Sequence, residues 1–361
     1  MDMRTIVSRL VAFETHENEL AMQVFLQTVL KDLGFRCELQ EVLPGRPNLI
    51  ARRGGGGPLF VTHSDTFGPS DHPHPLELRA EGDMLYGRGA LDAKGQIAAL
   101  LKALSLSDAP CTVALTVDEE NMGRGSEALR LPAEAAVVLE PTDLHIATAE
   151  AGFVEAEFEV RGQAAHCSLP ESGRNAILAA YDVFEQMTRL PFMQASHPLF
   201  PAPWANLGLI QGGAGLNVVA QSCTMQVDFG VLPGVELEDA VTQIRRLSEQ
   251  LSIRLRVLDL APPFETPADS PVANALAEAI RSATGQAARL VGMRSWTDAE
   301  NLVKQGIPTI VYGAGDLGIA HSSREAVSLA DLETMAKTLA EFIDTWRVTT
   351  PFVPTFRGVT K

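Results

Sequence analysis

The sequence predicts an α/β protein whose main domain is a three-layer α/β/α sandwich, interrupted by an inserted α+β domain of ferredoxin-like order. Three observations carry this. Strands that are apolar throughout alternate with helical 3.6-residue patterns, which indicates a sheet covered on both faces. From Val154 the order changes to βαββαβ, the ferredoxin-like arrangement. The chain has 361 residues, more than the roughly 100–200 of a single domain.

The stretch IVSRLVAFETHENELAMQVFLQTVLKDLG reads as helices closed by Gly34, and strands CELQEVL, NLIARR and PLFVTHSD follow. After GRGALDAKG the run QIAALLKALSL is helical, and CTVALTV and AAVVLEPT are strands. The insert reads as strand VEAEFEV, helix NAILAAYDVFEQMTRL, strands ANLGLI and SCTMQVDFGV, helix LEDAVTQIRRLSEQL and strand SIRLRVLDL. A proline-rich return, APPFETPADSP, leads to helix VANALAEAIRSATG, strand PTIVYG and helix LADLETMAKTLAEFIDTW. The expected boundaries are 1–152 and 264–348 for the main domain, 153–263 for the insert, and an irregular tail over 349–361.

Composition narrows the function. A net charge of −16 opposes binding to phosphate backbones, so nucleic acid is not an expected partner. No apolar run approaches the roughly 18 residues of a membrane span, and MDMRTIVSRL lacks the basic start and apolar core of a signal peptide. Cys37, Cys111, Cys167 and Cys223 are scattered without C-x-x-C spacing, which fits free thiols in a reducing cytoplasm.

Strand ends in α/β sheets face the crevice where ligands bind, and here they carry metal-type ligands. FVTHSD supplies His63 and Asp65, GRGALDAKG supplies Asp92, TVDEE supplies Glu119 and Glu120, and VVLEPT supplies Glu140. A later loop, VYGAGDLGIAHSS, supplies His321. Carboxylates crowded into a low-dielectric crevice shift toward the neutral form unless a cation compensates them. Histidine with carboxylate suits zinc, with cobalt or manganese as alternatives.

In combination and order, HSDTFGP, YGRGALDAKG, DEENMGRGS, LEPT, AAHCSLPESGRNAI, GLNVVAQ and TDAENLVKQGIPTIVYGAGDLGIAHSSREAVSL resemble the zinc-dependent M20 amidohydrolase and peptidase family. That family includes acetylornithine and acetyl-lysine deacetylases, succinyl-diaminopimelate desuccinylase and carboxypeptidases. The resemblance implies two divalent metals bridged by Asp92, with His63 and Glu140 completing one site and Glu120 and His321 the other. It implies Glu119 as the general base toward a metal-activated water, Asp65 as the carboxylate orienting His63, and His166 as an oxyanion contact from a lid domain that often pairs two subunits. Asn217 is a second polar contact expected from the same lid. A homodimer through the insert is expected on the same basis.

Other features are set aside. RRGGGGP has no following Lys-Ser/Thr and reads as a turn. His72 and His74 in DHPHP read as loop residues, Asp118 as structural, and His166-Cys167 as no catalytic pair. One departure bears on substrate. Members of the family commonly carry an arginine two residues after the aspartate of D-x-R-x-x-P-G, where QVDFGVLPG has Gly230. Arg294 and Arg174 are the candidates to supply the missing carboxylate clamp. The expected reaction is hydrolysis of an N-acylated amino acid. The alternatives are release of an amino acid from a short peptide and, in another class, an inactive relative that serves as a binding protein.

Overall fold

The computed structural model describes residues 2–70 and 72–347; the expected tail over 349–361 lies outside the described residues. The chain forms two compact units. The first runs to Thr148 and takes in Thr266–Val291 and the chain from Thr297; the second comprises Ala149–Glu265 and Gly292–Trp296. The strip Gly292–Trp296, which the sequence reading placed in the main domain, joins the second unit for a physical reason. Gly292 N–H donates to Leu199 O at 3.1 Å, Ala151 N–H donates to Met293 O at 2.9 Å, and the Phe200 ring closes on Gly292.

The first unit begins with helices α1 (Met3–Val11) and α2 (Leu20–Asp32) and strands β1 (Arg36–Leu43), β2 (Arg46–Arg53) and β3 (Leu59–His63). Short strands β4 (Arg79–Glu81) and β5 (Met84–Tyr86) precede α3 (Lys94–Leu104), β6 (Cys111–Thr116), α4 (Arg124–Ala128), β7 (Ala136–Val138) and β8 (Ile146–Glu150). The second unit holds β9 (Gly152–Arg161), α5 (Ala176–Met187), β10 (Ala205–Gly212), β11 (Ser222–Val231), α6 (Leu237–Gln250), β12 (Arg254–Ala261) and β13 (Phe264–Glu265). The return adds α7 (Pro271–Thr284), β14 (Leu290–Met293), α8 (Ala299–Lys304), β15 (Thr309–Val311), β16 (Ala326–Ser328) and α9 (Leu329–Thr345).

The main sheet runs β1-β2-β6-β3-β7-β15-β8. Strand β3 is parallel to β6 and β7, and β15 is parallel to β7, so the carboxyl ends of four strands open on one edge. Every residue of β3, β7 and β15 is buried, which accounts for their unbroken apolar runs. Phe60 of β3 meets Phe342 of α9 edge to face at 6.0 Å. A small antiparallel sheet, β16-β5-β4, belongs to the same unit.

The second unit is an antiparallel sheet in the order β10-β11-β9-β12. Along β9 the positions alternate between buried and more exposed, as a sheet with one covered face requires. Val154, Ala156, Phe158 and Val160 form a core with Val183 and Met187 of α5 and Ile244 of α6. The other face is polar: Glu157 bonds both Gln226 and Arg256 across neighbouring strands.

A buried ion group ties α2 and β2 to the turn after β6. Glu19, at the start of α2, is fully buried and accepts from Arg46 Nε at 2.8 Å, while Arg46 Nη1 donates to Asp118 Oδ1 at 3.2 Å. Removing Arg46 leaves buried Glu19 without its guanidinium and Asp118 with only exposed Arg124, 3.6 Å from its Oδ2. Arg46→Ala is therefore expected to cost about 3–5 kcal/mol, read as a lowered urea midpoint; an unchanged midpoint would show that the group contributes nothing.

Candidate metal centre

Both histidines and all five acids of the expected centre lie in the first unit. His63 ends β3, Glu119 and Glu120 follow β6, Glu140 follows β7, Asp92 lies just before α3, and His321 sits in the loop between β15 and β16. The structure gathers their side-chain tips into two trios that share Asp92: His63, Asp92 and Glu140, then Asp92, Glu120 and His321, with the candidate ligand atoms of each trio within 4.8 Å of one another.

The spacing within the trios suits a cation. Bonds of about 2.0 Å in tetrahedral arrangement put two ligand atoms roughly 3.3 Å apart. His63 Nε2 lies 2.9 Å from Asp92 Oδ1 and 3.5 Å from Glu140 Oε1, and His321 Nε2 lies 2.9 Å from Glu120 Oε2 and 3.4 Å from Asp92 Oδ2. Each oxygen of Asp92 thus faces a different histidine. Glu140 Oε1 is buried with no hydrogen-bond partner among the described residues, an expensive condition for a carboxylate that no cation neutralises. The donor set therefore fits two divalent ions.

Neighbouring groups aim these side chains. His63 Nδ1 is 3.1 Å from Asp65 O; a carbonyl only accepts, so Nδ1 carries the proton and Nε2 is left with its lone pair for a ligand. The Asp65 carboxylate is farther from Nδ1, at 3.5 Å, and its other oxygen accepts from Glu120 N–H at 3.1 Å. Asp65 therefore connects the ends of β3 and β6. Glu120 Oε1 accepts from Phe67 N–H at 2.8 Å, and the Phe67 ring stacks on His321 with centroids 4.4 Å apart. Main-chain N–H groups of Leu91 and Asp92 both donate to Glu325 Oε1 at 3.2 Å, and Glu325 is held from the other side by buried Arg88.

Electrostatics describe a crowded site. Burial pushes the Glu119 carboxyl well up; nearby His63 opposes this, and Glu140 and Glu120 reinforce it. Glu140 is likewise raised by burial, against His63 and with Asp92. Burial resists protonation of His63, but Glu140 and Glu119 push its pKa well above the usual value. For His321, burial is outweighed by its bonds to Asp92 and Glu120, which carry it up to about 10. The carboxylates are short of positive charge, and protons on the histidines supply only part of it. Glu119 belongs to neither trio and remains free for another task.

The remaining sequence-derived candidates lie in the second unit. His166 is exposed, with Nδ1 2.8 Å from Ser168 Oγ. Asn217 is exposed, and its carbonyl accepts from Cys167 N–H. Exposed Arg174 pairs with Gln163 through its main chain. Arg294 lays its guanidinium over the Trp204 ring, 5.1 Å from the centroid. A Cβ at Gly230 would stand 2.3–2.5 Å from that same indole, so the ring fills the space where a side chain at position 230 would begin. His72, read as a loop residue, lies in a loop but is buried.

Supporting residues that sequence reasoning missed include Gln23, Arg46, Asn48, Thr116, Arg88, Glu325 and Asp298. Gln23 Nε2 donates to Ser64 Oγ and Leu115 O, and Asn48 bonds Val117 N–H and Gly125 O. Arg88 and Glu325 were visible inside quoted motifs, but the pairing across 237 positions has no local signal.

Residues 59–345 match the family model described as peptidase family M20/M25/M40. The chain is 31% identical over 373 residues to an acetylornithine deacetylase of Myxococcus xanthus, covering 94% of this chain and 96% of that protein. It is 31% identical over 330 residues to one of Vibrio campbellii, covering 84% and 85%. Similar solved structures include a tripeptidase from Staphylococcus aureus, with TM-score 0.79, 20% identity and 95% and 97% of the two chains covered. An M20 family metallo-carboxypeptidase from Sulfolobus solfataricus has TM-score 0.76, 16% identity and coverage of 95% and 98%. The chain thus belongs to peptidase family M20/M25/M40 and is a hydrolase of that metal-dependent family.

Proposed function

We propose that the protein hydrolyses the amide bond of a small N-acylated amino acid, releasing a carboxylate and a free amine, with acetylornithine- and acetyl-lysine-type compounds as the leading substrates. The observation that carries this reading is the pair of trios sharing Asp92, with Glu119 beside them and in neither. The similarity to acetylornithine deacetylases over nearly the whole chain supports the substrate class. His63, Asp92 and Glu140 would hold one divalent ion, and Asp92, Glu120 and His321 the other, zinc in both by donor chemistry and cobalt or manganese as substitutes. Bound there, such ions activate water and polarise a scissile carbonyl.

The chain's own residues then divide the work. Glu119, raised by burial and by neighbouring acids, takes a proton from the attacking water and returns it to the departing nitrogen, as a positioned general acid/base does. Asp65 fixes the His63 ring through its carbonyl and Glu120 through its carboxylate. His166, with Nδ1 toward Ser168, has Nε2 to offer to developing negative charge. Arg294, Arg174 and Asn217 are the proposed substrate contacts, Arg294 foremost because the Trp204 face holds its guanidinium. The proposed site of action is the cytoplasm. Among the described residues no helix is long and apolar enough to cross a membrane.

The alternative of a peptidase uses the same chemistry, and product identity separates the two. Chelator-stripped protein is expected to cleave none of N-acetyl-ornithine, N-acetyl-lysine, succinyl-diaminopimelate and simple dipeptides, and to recover cleavage of an N-acyl amino acid when zinc or cobalt returns. Two amino acids as products would establish the peptidase, and fully metallated protein that cleaves nothing would favour a binding role. Glu119→Gln is expected to lower kcat by about 10²–10⁴-fold while metal stoichiometry stays at the wild-type level; retained turnover would remove Glu119 as the base.

A homodimer through the second unit is also proposed. Strand β10 is an edge of its sheet, and Leu209 and Ile210 on it are exposed, as are Leu178 and Tyr181 on α5. An open apolar edge is a pairing surface. Sedimentation should report a dimer for the wild type and a monomer for the double change Leu209→Glu, Ile210→Glu; a monomeric wild type would end the proposal.

A further inference from the structure

Asp298 lies in the first unit just before α8 and is 1% exposed. Its Oδ2 is 2.5 Å from Thr116 Oγ1, and its Oδ1 is buried with no hydrogen-bond partner among the described residues. Thr116 Oγ1 is also 3.1 Å from Thr62 O. A hydroxyl has one proton to give, and a main-chain carbonyl can only accept. If the Thr116 proton goes to Thr62 O, the 2.5 Å contact requires the proton between Thr116 and Asp298 to come from Asp298. The nearby Ser126 hydroxyl is committed as well, lying 3.1 Å from Gly123 O and accepting from Asn301 Nδ2 at 2.9 Å.

We infer that Asp298 is a neutral carboxylic acid that donates its proton to Thr116 Oγ1 and so acts as a positioning residue for the strand end carrying Glu119 and Glu120. The chain of bonds runs from Asp298 through Thr116, the last residue of β6, to Thr62, the residue before His63 in β3. It clamps the two strands that deliver His63 and the Glu119-Glu120 pair. The unpartnered Oδ1 is tolerable as the carbonyl oxygen of an acid and costly as half of a carboxylate. Asp65, Glu119 and Glu140 lie close enough to repel a negative charge at this position, and His63 is the nearby group that favours one. Burial pushes the carboxyl up to about 6 even with the Thr116 and Ser126 hydroxyls acting as donors to it. With both of their protons given to carbonyls, the same contacts favour the neutral acid.

The catalytic consequence rests on the reading of Glu119 as base; the protonation state does not. Infrared spectra of zinc-loaded protein carrying aspartate labelled with ¹³C at its side-chain carboxyl, which leaves Glu119 and Glu140 silent, are expected to show one carboxylic-acid carbonyl band at neutral pH. The band should vanish in Asp298→Asn and move to higher frequency in Thr116→Val, where the acid loses its acceptor. Its absence from the wild type overturns the inference without any variant having to fold. In turnover, Asp298→Asn, whose amide can donate to Thr116, should keep kcat within about three-fold, whereas Asp298→Ala should lose about 10²-fold in kcat with KM and zinc content unchanged. Equal activity of the two variants would remove the positioning role and leave the acid band standing. A failure of the base assignment would show instead as an active Glu119→Gln.

Discussion

Five carboxylates, Asp65, Asp92, Glu119, Glu120 and Glu140, converge with two histidines at one edge of a buried sheet, and the rest of the first unit is arranged around the repulsion among them. Parallel strands dictate the crowding, because β3, β6 and β7 all deliver their carboxyl ends to the same side. Such a group of acids is unfavourable as a bare arrangement and favourable around dications: burial, reinforced by the neighbouring acids, pushes Glu119 and Glu140 toward neutrality, and against burial those acids push both histidines toward the charged form. Affinity for divalent metal and the mutual repulsion of these ligand side chains are thus one quantity seen from two sides.

Around this centre the chain uses two kinds of support. The guanidinium groups lie a step back from the ligands. Arg46 compensates Glu19 and Asp118, and Arg88 compensates Glu325, whose oxygen in turn receives the main chain at Asp92. A second set is uncharged, on the inference that Asp298 is a neutral acid: Gln23 to Ser64, Ser64 and Asp298 to Thr116, and Thr116 to Thr62. The placement of the cations has an electrostatic logic. A guanidinium among the ligands would compete with the cations for the carboxylates, whereas amides and hydroxyls fix direction without altering charge.

The ligand-type residues were legible in the sequence because each ends an apolar strand or lies beside a glycine turn, so the pattern that defines the fold also marks the crevice. The βαββαβ order was equally legible, since helical and strand periods alternate cleanly from Val154 to Leu260. What the sequence hid is whatever depends on pairing between distant positions. Arg46 reads as an ordinary strand charge until Asp118, 72 positions away, is brought to it. Asp298 reads as one acid in TDAEN until β6 places Thr116 beside it. Strand β8 escaped notice because five residues of IATAE have neither length nor alternation, and Gly292–Trp296 changes unit through two main-chain bonds and one phenyl contact that no local pattern announces.

Gly230 shows how a single small residue constrains its surroundings. Trp204 lies against it so closely that even a methyl group would meet the indole, and the indole is fixed at its other end by a bond from Nε1 to Asp228 Oδ2 at 2.8 Å. Glycine here is therefore a packing requirement of the tryptophan, and no larger residue fits at 230 without displacing the ring. The guanidinium found on that indole belongs to Arg294, brought there because Gly292–Trp296 is part of the second unit. Stacking restricts the side chain and leaves its five N–H donors in their planar fork. The positive group beside this indole therefore comes from the strip Gly292–Trp296 and not from the strand that carries Gly230.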